Sequence, residues 1–315
     1  MATIEGVINT MVTPFTKDGD VDYATFEKQV LFLLANGART LSYPMHYGES
    51  LNLRENEYKE CAKIVVKTAN GKVPTFINVS SAGTDITCDN AKHAAKIGAD
   101  GIVVLTPYYW KPEPADVIEH VARAAKAHGG MVILYNSPGA TGTNVGPAFL
   151  RRMIEAVPTL VGVKDATFNM VDFTRACQVA REIPTLGIYT GVEYLLTSVP
   201  VGGSGSFSAA GEVAPRLTHG LYDACASGDI SLARKLQFDM HELLESIQQC
   251  YPGGIKHAMA LMGRPVGDVR SPIRRLSPDE IKGIEKVLRS LKMFEREPKG
   301  WATTSSKASA VAASV

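Results

Sequence analysis

A lysine within an apolar run is the first residue of this chain whose type and position suit catalysis. The stretch "LVGVKDAT" covers residues 160–167, and Lys164 follows Val161 and Val163 in it. Such a run is typical of a buried strand. Because an unpaired ammonium is costly to bury, the side chain either reaches solvent at the strand end or serves a reaction.

Burial gives a lysine a specific chemistry. Loss of water lowers the pKa of the ammonium from about 10.4 toward the range of about 7–8 that suits catalysis. The neutral amine attacks a ketone and forms a Schiff base, which then acts as an electron sink for carbon–carbon bond cleavage or formation. From strand position alone, this interpretation and escape of the amine to solvent are equally open.

Tyrosines end two other apolar runs. Tyr135 ends "MVILY", where its phenol could carry a proton to or from an imine or a departing alkoxide. Tyr108, Tyr109 and Trp110 follow another run in "PYYWKP". Packing or a subunit interface is the competing interpretation for each of these aromatic residues.

Two further stretches have the composition of ligand-binding loops. In "SYPMHYGES", N–H groups around Gly48 could bind a carboxylate, and His46 and Tyr47 could hydrogen-bond to a ligand. "VGGSGSFSAAGE" (201–212) is rich in glycine, which suits either a phosphate cradle or a close approach of a ligand to the backbone.

The elements that must position these residues are eight β-type runs, each followed by a helical pattern. Runs that are apolar throughout and alternate with helices indicate a parallel sheet buried on both faces. The predicted strands are 6–12, 40–44, 74–80, 101–107, 131–137, 160–166, 186–191 and 203–209.

Eight such units predict an α/β fold, a (β/α)8 TIM barrel. We predict the barrel over residues 1–228, a C-terminal helical extension over 229–296, and a disordered Ala/Ser-rich tail over 297–315. An open doubly wound sheet is the competing fold, but no Gly-x-Gly-x-x-Gly follows the first strand. Because barrel enzymes use the C-terminal ends of their strands, Lys164 and Tyr135 are expected at one face.

Composition excludes several functional classes. The chain has 315 residues, a formal net charge of +1 and 45% hydrophobic residues, which gives no reason to expect nucleic acid or membrane as partner. Its five scattered cysteines favour reduced thiols and a cytoplasmic location. No motif predicts a metal site.

These residues and motifs, in this order, resemble the dihydrodipicolinate synthase / N-acetylneuraminate lyase family of class I aldolase-like enzymes. The resemblance covers roughly residues 5–294. Its landmarks are "TPF" (13–15), "GES" (48–50), "PYY" (107–109), "LYNSPGATG" (134–142), "GVKDAT" (162–167), "GGSGSFS" (202–208) and "GGIKHAMALMGRPVGDVRSPIRRLS" (253–277).

The resemblance implies a Schiff-base lyase or aldolase acting on pyruvate or another 2-oxo acid with an aldehyde-type partner, without metal or cofactor. It implies a homotetramer, a dimer of dimers. Lys164 matches the Schiff-base lysine and Tyr135 the catalytic tyrosine. Tyr109 matches a relay tyrosine that a neighbouring subunit can provide. The carboxylate-binding turn matches His46, Tyr47 and Gly48, and the backbone position facing the keto acid matches Phe207.

Two departures affect the expected substrate. His46 and Tyr47 replace the family's usual hydroxyl pair, and Ala140 stands where dihydrodipicolinate synthases have an arginine. Synthase activity is therefore one alternative among several. A dehydratase or hydratase-aldolase using the same imine is another, and a ligand-binding or regulatory barrel with altered catalysis is the non-enzymatic one.

Overall fold

The computed structural model describes residues 4–301, and in it eight parallel strands close into a barrel. Each strand pairs with the next, and the last pairs with the first. All eight predicted strands are present, so the predicted (β/α)8 barrel is confirmed. The strands are β1 (Gly6–Thr10), β2 (Thr40–Tyr43), β3 (Thr75–Asn78), β4 (Gly101–Leu105), β5 (Met131–Asn136), β6 (Leu160–Asp165), β7 (Gly187–Thr190) and β8 (Gly205–Ser208).

Helices surround the barrel and continue beyond it. Helix starts and ends follow local signals: Asp22 accepts a hydrogen bond from the Thr25 N–H at the start of the first helix, and Gly129, with φ of 83°, ends the fourth. The helices are α1 (Tyr23–Ala35), α2 (Glu55–Ala69), α3 (Thr84–Lys96), α4 (Pro114–His128), α5 (Pro138–Thr141), α6 (Pro147–Ala156), α7 (Met170–Ala180), α8 (Leu195–Ser198), α9 (Pro215–Ser227), α10 (Ile230–Ile247), α11 (Gly253–Leu261), α12 (Pro278–Ser290) and α13 (Met293–Arg296).

Side chains alternate along the strands between the barrel interior and the layer between strands and helices. In β5, Val132 and Leu134 pack in the cluster between strands and helices, whereas Ile133 and Tyr135 belong to the cluster inside the barrel. This period of two places Tyr135 in the barrel interior rather than against a helix.

The barrel interior is closed at the N-terminal ends of the strands. Tyr189 is fully buried, and its hydroxyl donates to the carbonyl oxygen of Ile4 at 2.5 Å. A Cβ atom at Gly187 would collide with the Tyr189 phenol, so glycine at that position leaves room for the ring. The floor of the barrel is therefore filled by an aromatic side chain.

The C-terminal extension consists of α10 to α13 and packs against α9. The sequence predicts one helix over residues 277–294, but the structure divides it at Lys292, which has φ of 53° and cannot continue a right-handed helix. The division of the chain into domains stays a prediction. Among residues 4–301, no helix is long and apolar enough to cross a membrane.

The first five residues of the predicted disordered tail pack against the rest of the chain. The Glu297 carboxylate accepts hydrogen bonds from the N–H groups of Arg216 and Leu217 at the start of α9. The buried Arg264 guanidinium donates to the Pro298 carbonyl at 2.6 Å. For residues 297–301, contacts therefore replace the predicted disorder, and residues 302–315 lie outside the described part.

Candidate active site

Lys164 and Tyr135 lie side by side at the C-terminal ends of β6 and β5. The two residues are partners in the strand register. The Lys164 Nζ lies 3.8 Å from the centroid of the Tyr135 ring and 5.1 Å from that of Phe207, on β8. Lys164 is only 2% exposed, so its amine does not escape to solvent.

The surroundings of Lys164 favour a neutral amine. Desolvation by burial lowers the pKa of Lys164 from its ordinary value, while the nearby Tyr135 and Glu193 act in the opposite direction. Within residues 4–301, no carboxylate forms an ion pair with this lysine. An aromatic enclosure without a salt bridge favours the free amine, the form that imine formation requires.

Hydrogen bonds behind this pair fix the ends of β5 and β6. The Asn136 Nδ2 donates to Asp165 at 3.2 Å and to Asn144 at 3.1 Å, and the Asn136 Oδ1 accepts from the Val145 N–H. Asn136 and Asp165 directly follow Tyr135 and Lys164 in the strands. The pair therefore sits on strand ends that are joined to each other and to the loop after β5.

The turn predicted to bind a carboxylate is a short 3₁₀ helix, His46–Gly48, directly after β2. The Gly48 N–H already donates to Met45 O at 2.9 Å, and the Gly48 carbonyl accepts from Thr13 Oγ at 2.5 Å. A Cβ at Gly48 would lie 3.0 Å from Met11 O, so the backbone is tightly packed there. The N–H groups left to bind a ligand are those of His46 and Tyr47.

An aromatic residue of the C-terminal extension packs against this turn. The Tyr251 ring lies 5.2 Å from the His46 ring and 4.7 Å from the Tyr47 ring, centroid to centroid. Tyr47 is buried and His46 is exposed at the barrel mouth. Partial burial of its ring lowers the pKa of His46, and a proton on Lys164 lowers it further. Sequence patterns missed Tyr251 because it lies about 200 residues from the turn.

Glu193 is a second residue that the sequence analysis missed. It follows β7, is fully buried, and accepts a hydrogen bond from Ser208 Oγ through one carboxylate oxygen. Its other oxygen has no partner among residues 4–301. Burial raises the pKa of Glu193 to about 7. A single acid in a loop carries no motif, so only the fold identifies it as a buried neighbour of the lysine.

Tyr109 is not brought to Lys164 within one chain. Its side chain is 83% exposed, and its ring stands edge-on to the 63% exposed Trp110 at 5.0 Å. Its backbone φ of 72° lies in the left-handed region, which is strained for a tyrosine. Two large exposed aromatics on a strained loop are typical of a surface that another molecule covers.

A cavity of about 130 Å³ opens above Tyr135. None of its lining side chains is an acid, a lysine or an arginine, and Ala140 leaves space at its rim. The lining residues are His46, Ser50, Leu51, Asn78, Ser80, Leu105, Tyr108, Tyr135, Ser137 and Ala140. The site thus combines a buried amine, an adjacent phenol and an uncharged mouth.

The glycine-rich stretch around β8 has a packing explanation. Gly205 has φ of +152°, and a Cβ there would collide with the backbone of Gly6 on the neighbouring strand. A Cβ at Gly203 would lie 2.7 Å from Ser198 O. These two glycines allow close approach between backbone segments, so they do not require the phosphate interpretation.

Comparison with known proteins gives one consistent result. A model of the dihydrodipicolinate synthetase family matches residues 3–291. The chain is 32% identical to the 4-hydroxy-tetrahydrodipicolinate synthase of Rhizobium meliloti, over 90% of this chain and 97% of that one. It is 33% identical to the enzyme of the same name from Microcystis aeruginosa, over 91% and 97% of the two chains.

A solved structure agrees with these sequence relationships. YagE, a prophage protein of Escherichia coli K12 that belongs to the dihydrodipicolinic acid synthase family, was determined in complex with pyruvate. It superposes with a TM-score of 0.88 at 28% identity, covering 93% of this chain and all of YagE.

Proposed function

The chain belongs to the dihydrodipicolinate synthetase family and is a lyase, and we propose that it forms a Schiff base with pyruvate or another 2-oxo acid through Lys164. The observation that carries the proposal is the buried Lys164 amine, which has no ion pair within residues 4–301 and lies 3.8 Å from the centroid of the Tyr135 ring. The pyruvate complex of the structurally similar YagE supports the choice of substrate class.

In the proposed reaction, the neutral Lys164 amine attacks the keto carbon of the 2-oxo acid. The resulting carbinolamine takes up a proton on its hydroxyl, loses water and becomes a protonated imine. That imine accepts the electron pair released when a carbon–carbon bond breaks, or supplies an enamine when one forms. We assign the donation and acceptance of these protons to the Tyr135 phenol, whose ring lies beside the Lys164 amine.

The His46–Gly48 turn is the proposed site for the carboxylate of the 2-oxo acid. The N–H groups of His46 and Tyr47 provide the donors, since that of Gly48 is used within the turn. The Phe207 ring lies beside the Lys164 amine, with its centroid 5.1 Å from Nζ. We assign these residues to binding and orientation.

The second reactant is proposed to be an uncharged aldehyde or its aldol. The cavity above Tyr135 has no lysine or arginine in its lining, and leaving a carboxylate unpaired in such a site typically costs several kcal/mol. We therefore expect poor condensation of pyruvate with aspartate semialdehyde. A dehydratase or hydratase-aldolase reaction through the same imine remains the second candidate, because the uncharged mouth suits its substrates equally.

We further propose a homotetramer in the cytoplasm. Tyr109 and Trp110 form one exposed apolar surface, which would place Tyr109 at a neighbouring subunit's site. Phe168 and Val171, 68% and 57% exposed, form another. Two separate surfaces are what a dimer of dimers needs. All five cysteines are free thiols, which supports a reducing compartment.

Borohydride trapping tests the central step. The protein is incubated with each member of a panel of 2-oxo acids, treated with borohydride, and examined by mass spectrometry for a covalent adduct on Lys164. We expect an adduct with pyruvate or a close analogue and none in the Lys164→Ala variant. Absence of any adduct would favour the ligand-binding barrel, and efficient aspartate semialdehyde condensation would refute the substrate argument.

The double variant His46→Thr/Tyr47→Thr tests the role of the turn. We expect the order of kcat/KM values across 2-oxo acids and aldehydes to change more than the thermal unfolding temperature, because the His46 ring lines the cavity above Tyr135. An unchanged substrate profile would reduce the two side chains to packing residues.

A further inference from the structure

A second buried lysine, outside the proposed chemistry, connects the C-terminal extension to the carboxylate-binding turn. Lys256, on α11, places its Nζ 2.7 Å from Glu49 Oε1, and the two side chains are only 2% and 0% exposed. The Lys256 Nζ also donates to the Asp268 carbonyl at 2.9 Å. A charged pair in such a dry position is expensive unless its geometry and hydrogen bonds are complete.

The Glu49 carboxylate is saturated with donors. Besides Lys256, it accepts from the Arg270 N–H at 3.0 Å and from the Asn52 amide at 3.2 Å. Glu49 itself has φ of 52° and ψ of 43°, a left-handed conformation that is unfavourable for a residue other than glycine. Such a conformation persists only where surrounding contacts hold it.

The backbone of Glu49 connects these side-chain contacts directly to the turn. Glu49 follows Gly48, and its N–H donates to the His46 carbonyl at 3.0 Å. Movement of the Glu49 side chain would therefore change the backbone on which the free N–H groups of His46 and Tyr47 are mounted. None of the other described contacts of the turn joins its backbone to the extension by a charge.

We propose that Lys256 is a positioning residue, which acts through Glu49 to hold the His46–Gly48 turn in the conformation that binds the carboxylate of the 2-oxo acid. This role rests on the proposed function of the turn. It makes the C-terminal extension part of the substrate-binding machinery, since the only ion-pair partner of Glu49 within residues 4–301 is Lys256 of α11.

The Glu49→Gln variant tests this role. Glutamine keeps the size of the side chain but removes the charge that fixes it to Lys256. We expect the KM for the 2-oxo acid that traps best in the unmodified protein to rise about tenfold, with kcat changed less than about twofold, because the loss affects ground-state binding of the carboxylate. A purely structural pair would lower the unfolding temperature and leave KM unchanged.

A control variant and a double variant accompany Glu49→Gln. Asp239→Asn removes the partner of Arg296 from another ion pair of the extension, at 2.6 Å, and we expect its KM to stay unchanged. Glu49→Gln/Lys256→Met removes both buried charges and covers the case in which Glu49→Gln alone fails to fold; we expect the same rise in KM. An unchanged KM in the double variant overturns the role.

Trapping and KM measurements together distinguish the role of Lys256 from the proposed Schiff-base function. If the unmodified protein is trapped by a 2-oxo acid but the variants keep its KM, only the role of Lys256 is overturned. If the unmodified protein is not trapped by any 2-oxo acid, the proposed function and this role fall together.

Discussion

Lys164 and Lys256 are two buried lysines in opposite electrostatic situations. Each is 2% exposed, and desolvation lowers the pKa of each from its ordinary value. Lys164 faces the rings of Tyr135 and Phe207 and has no ion pair among residues 4–301, whereas Lys256 is 2.7 Å from the Glu49 carboxylate. Burial alone therefore does not distinguish a reactive lysine from a structural one.

The group next to each lysine decides whether its charged or its neutral form is favoured. A carboxylate at contact distance favours the charged form and opposes deprotonation, while aromatic rings provide weaker stabilisation of the same charge. We therefore expect Lys164 to release its proton and attack a ketone, and Lys256 to keep its proton beside the Glu49 carboxylate. Four substitutions test this contrast, from the largest expected effect to the smallest.

The largest effect is expected for Lys164→Met. Turnover should fall by about 10⁴-fold or more, as for loss of other nucleophiles, while the free energy of unfolding should rise by about 1 kcal/mol, because a desolvated amine is replaced by an apolar chain. Steady-state kinetics and urea unfolding at pH 7 measure the two quantities. A less stable variant would show that Lys164 contributes to the fold.

The gain in the free energy of unfolding of Lys164→Met should decrease as the pH rises. Because the pKa of Lys164 in the folded state lies below that in the unfolded state, the unfolded chain binds more protons between the two values. The cost of burying the lysine is complete below the folded pKa and disappears as the pH rises toward about 10.4. The stability difference between Lys164→Met and the unmodified protein should therefore shrink at alkaline pH.

Tyr135→Phe isolates the phenol from its ring. The variant keeps the aromatic face beside the Lys164 amine, so borohydride trapping should persist while turnover falls about 10²- to 10⁴-fold. Single-turnover measurements with the trapped 2-oxo acid would separate imine formation from the later steps. Unchanged kinetics would reduce Tyr135 to a packing residue.

Lys256→Met should have the opposite effect on stability from Lys164→Met. Removing the cation leaves the Glu49 carboxylate buried without its charged partner, which typically costs about 3–5 kcal/mol. Urea unfolding provides the measurement. The double variant with Glu49→Gln should recover most of the loss, and a single variant as stable as the unmodified protein would contradict the contrast between the two lysines.

Glu193→Gln should have the smallest effect. Since burial raises the pKa of Glu193 to about 7, the folded chain binds more protons than the unfolded chain between about pH 4.3 and 7. The carboxyl therefore destabilises the fold as the pH rises through that range. Relative to the unmodified protein, the variant should gain roughly 2–3 kcal/mol between pH 5 and pH 8, as measured by unfolding at both values. Parallel pH profiles would contradict this.

The sequence predicted the barrel and the position of Lys164 because both depend on local patterns. Apolar runs repeat at regular intervals, and a lysine within one of them is visible without any structure. The placement of Tyr135 followed from the rule that parallel strands of a barrel end at one face. The family resemblance then supplied roles for His46, Tyr47, Gly48, Tyr109 and Phe207, which stay predictions.

The parts that the sequence did not reveal depend on contacts between distant segments. Glu49 and Lys256 are separated by 207 positions, and neither "GES" nor "GIKHAM" indicates that they meet. Glu193 was missed for the same reason. Gly205 and Gly203 suggested a ligand, but their role became visible only when the neighbouring backbone was in place. Side-chain pairing across a closed barrel is not encoded in any single stretch.

The filled floor of the barrel has a kinetic consequence. Since the Tyr189 hydroxyl and the Ile4 carbonyl close the end opposite the His46–Gly48 turn and side chains fill the barrel interior, reactants can approach Lys164 only from the mouth. In the proposed reaction, the 2-oxo acid is joined to the buried Lys164, and the second reactant occupies the cavity above Tyr135, between it and solvent. With this arrangement we expect the 2-oxo acid to enter first and leave last, which is a compulsory order of binding and release for the two reactants.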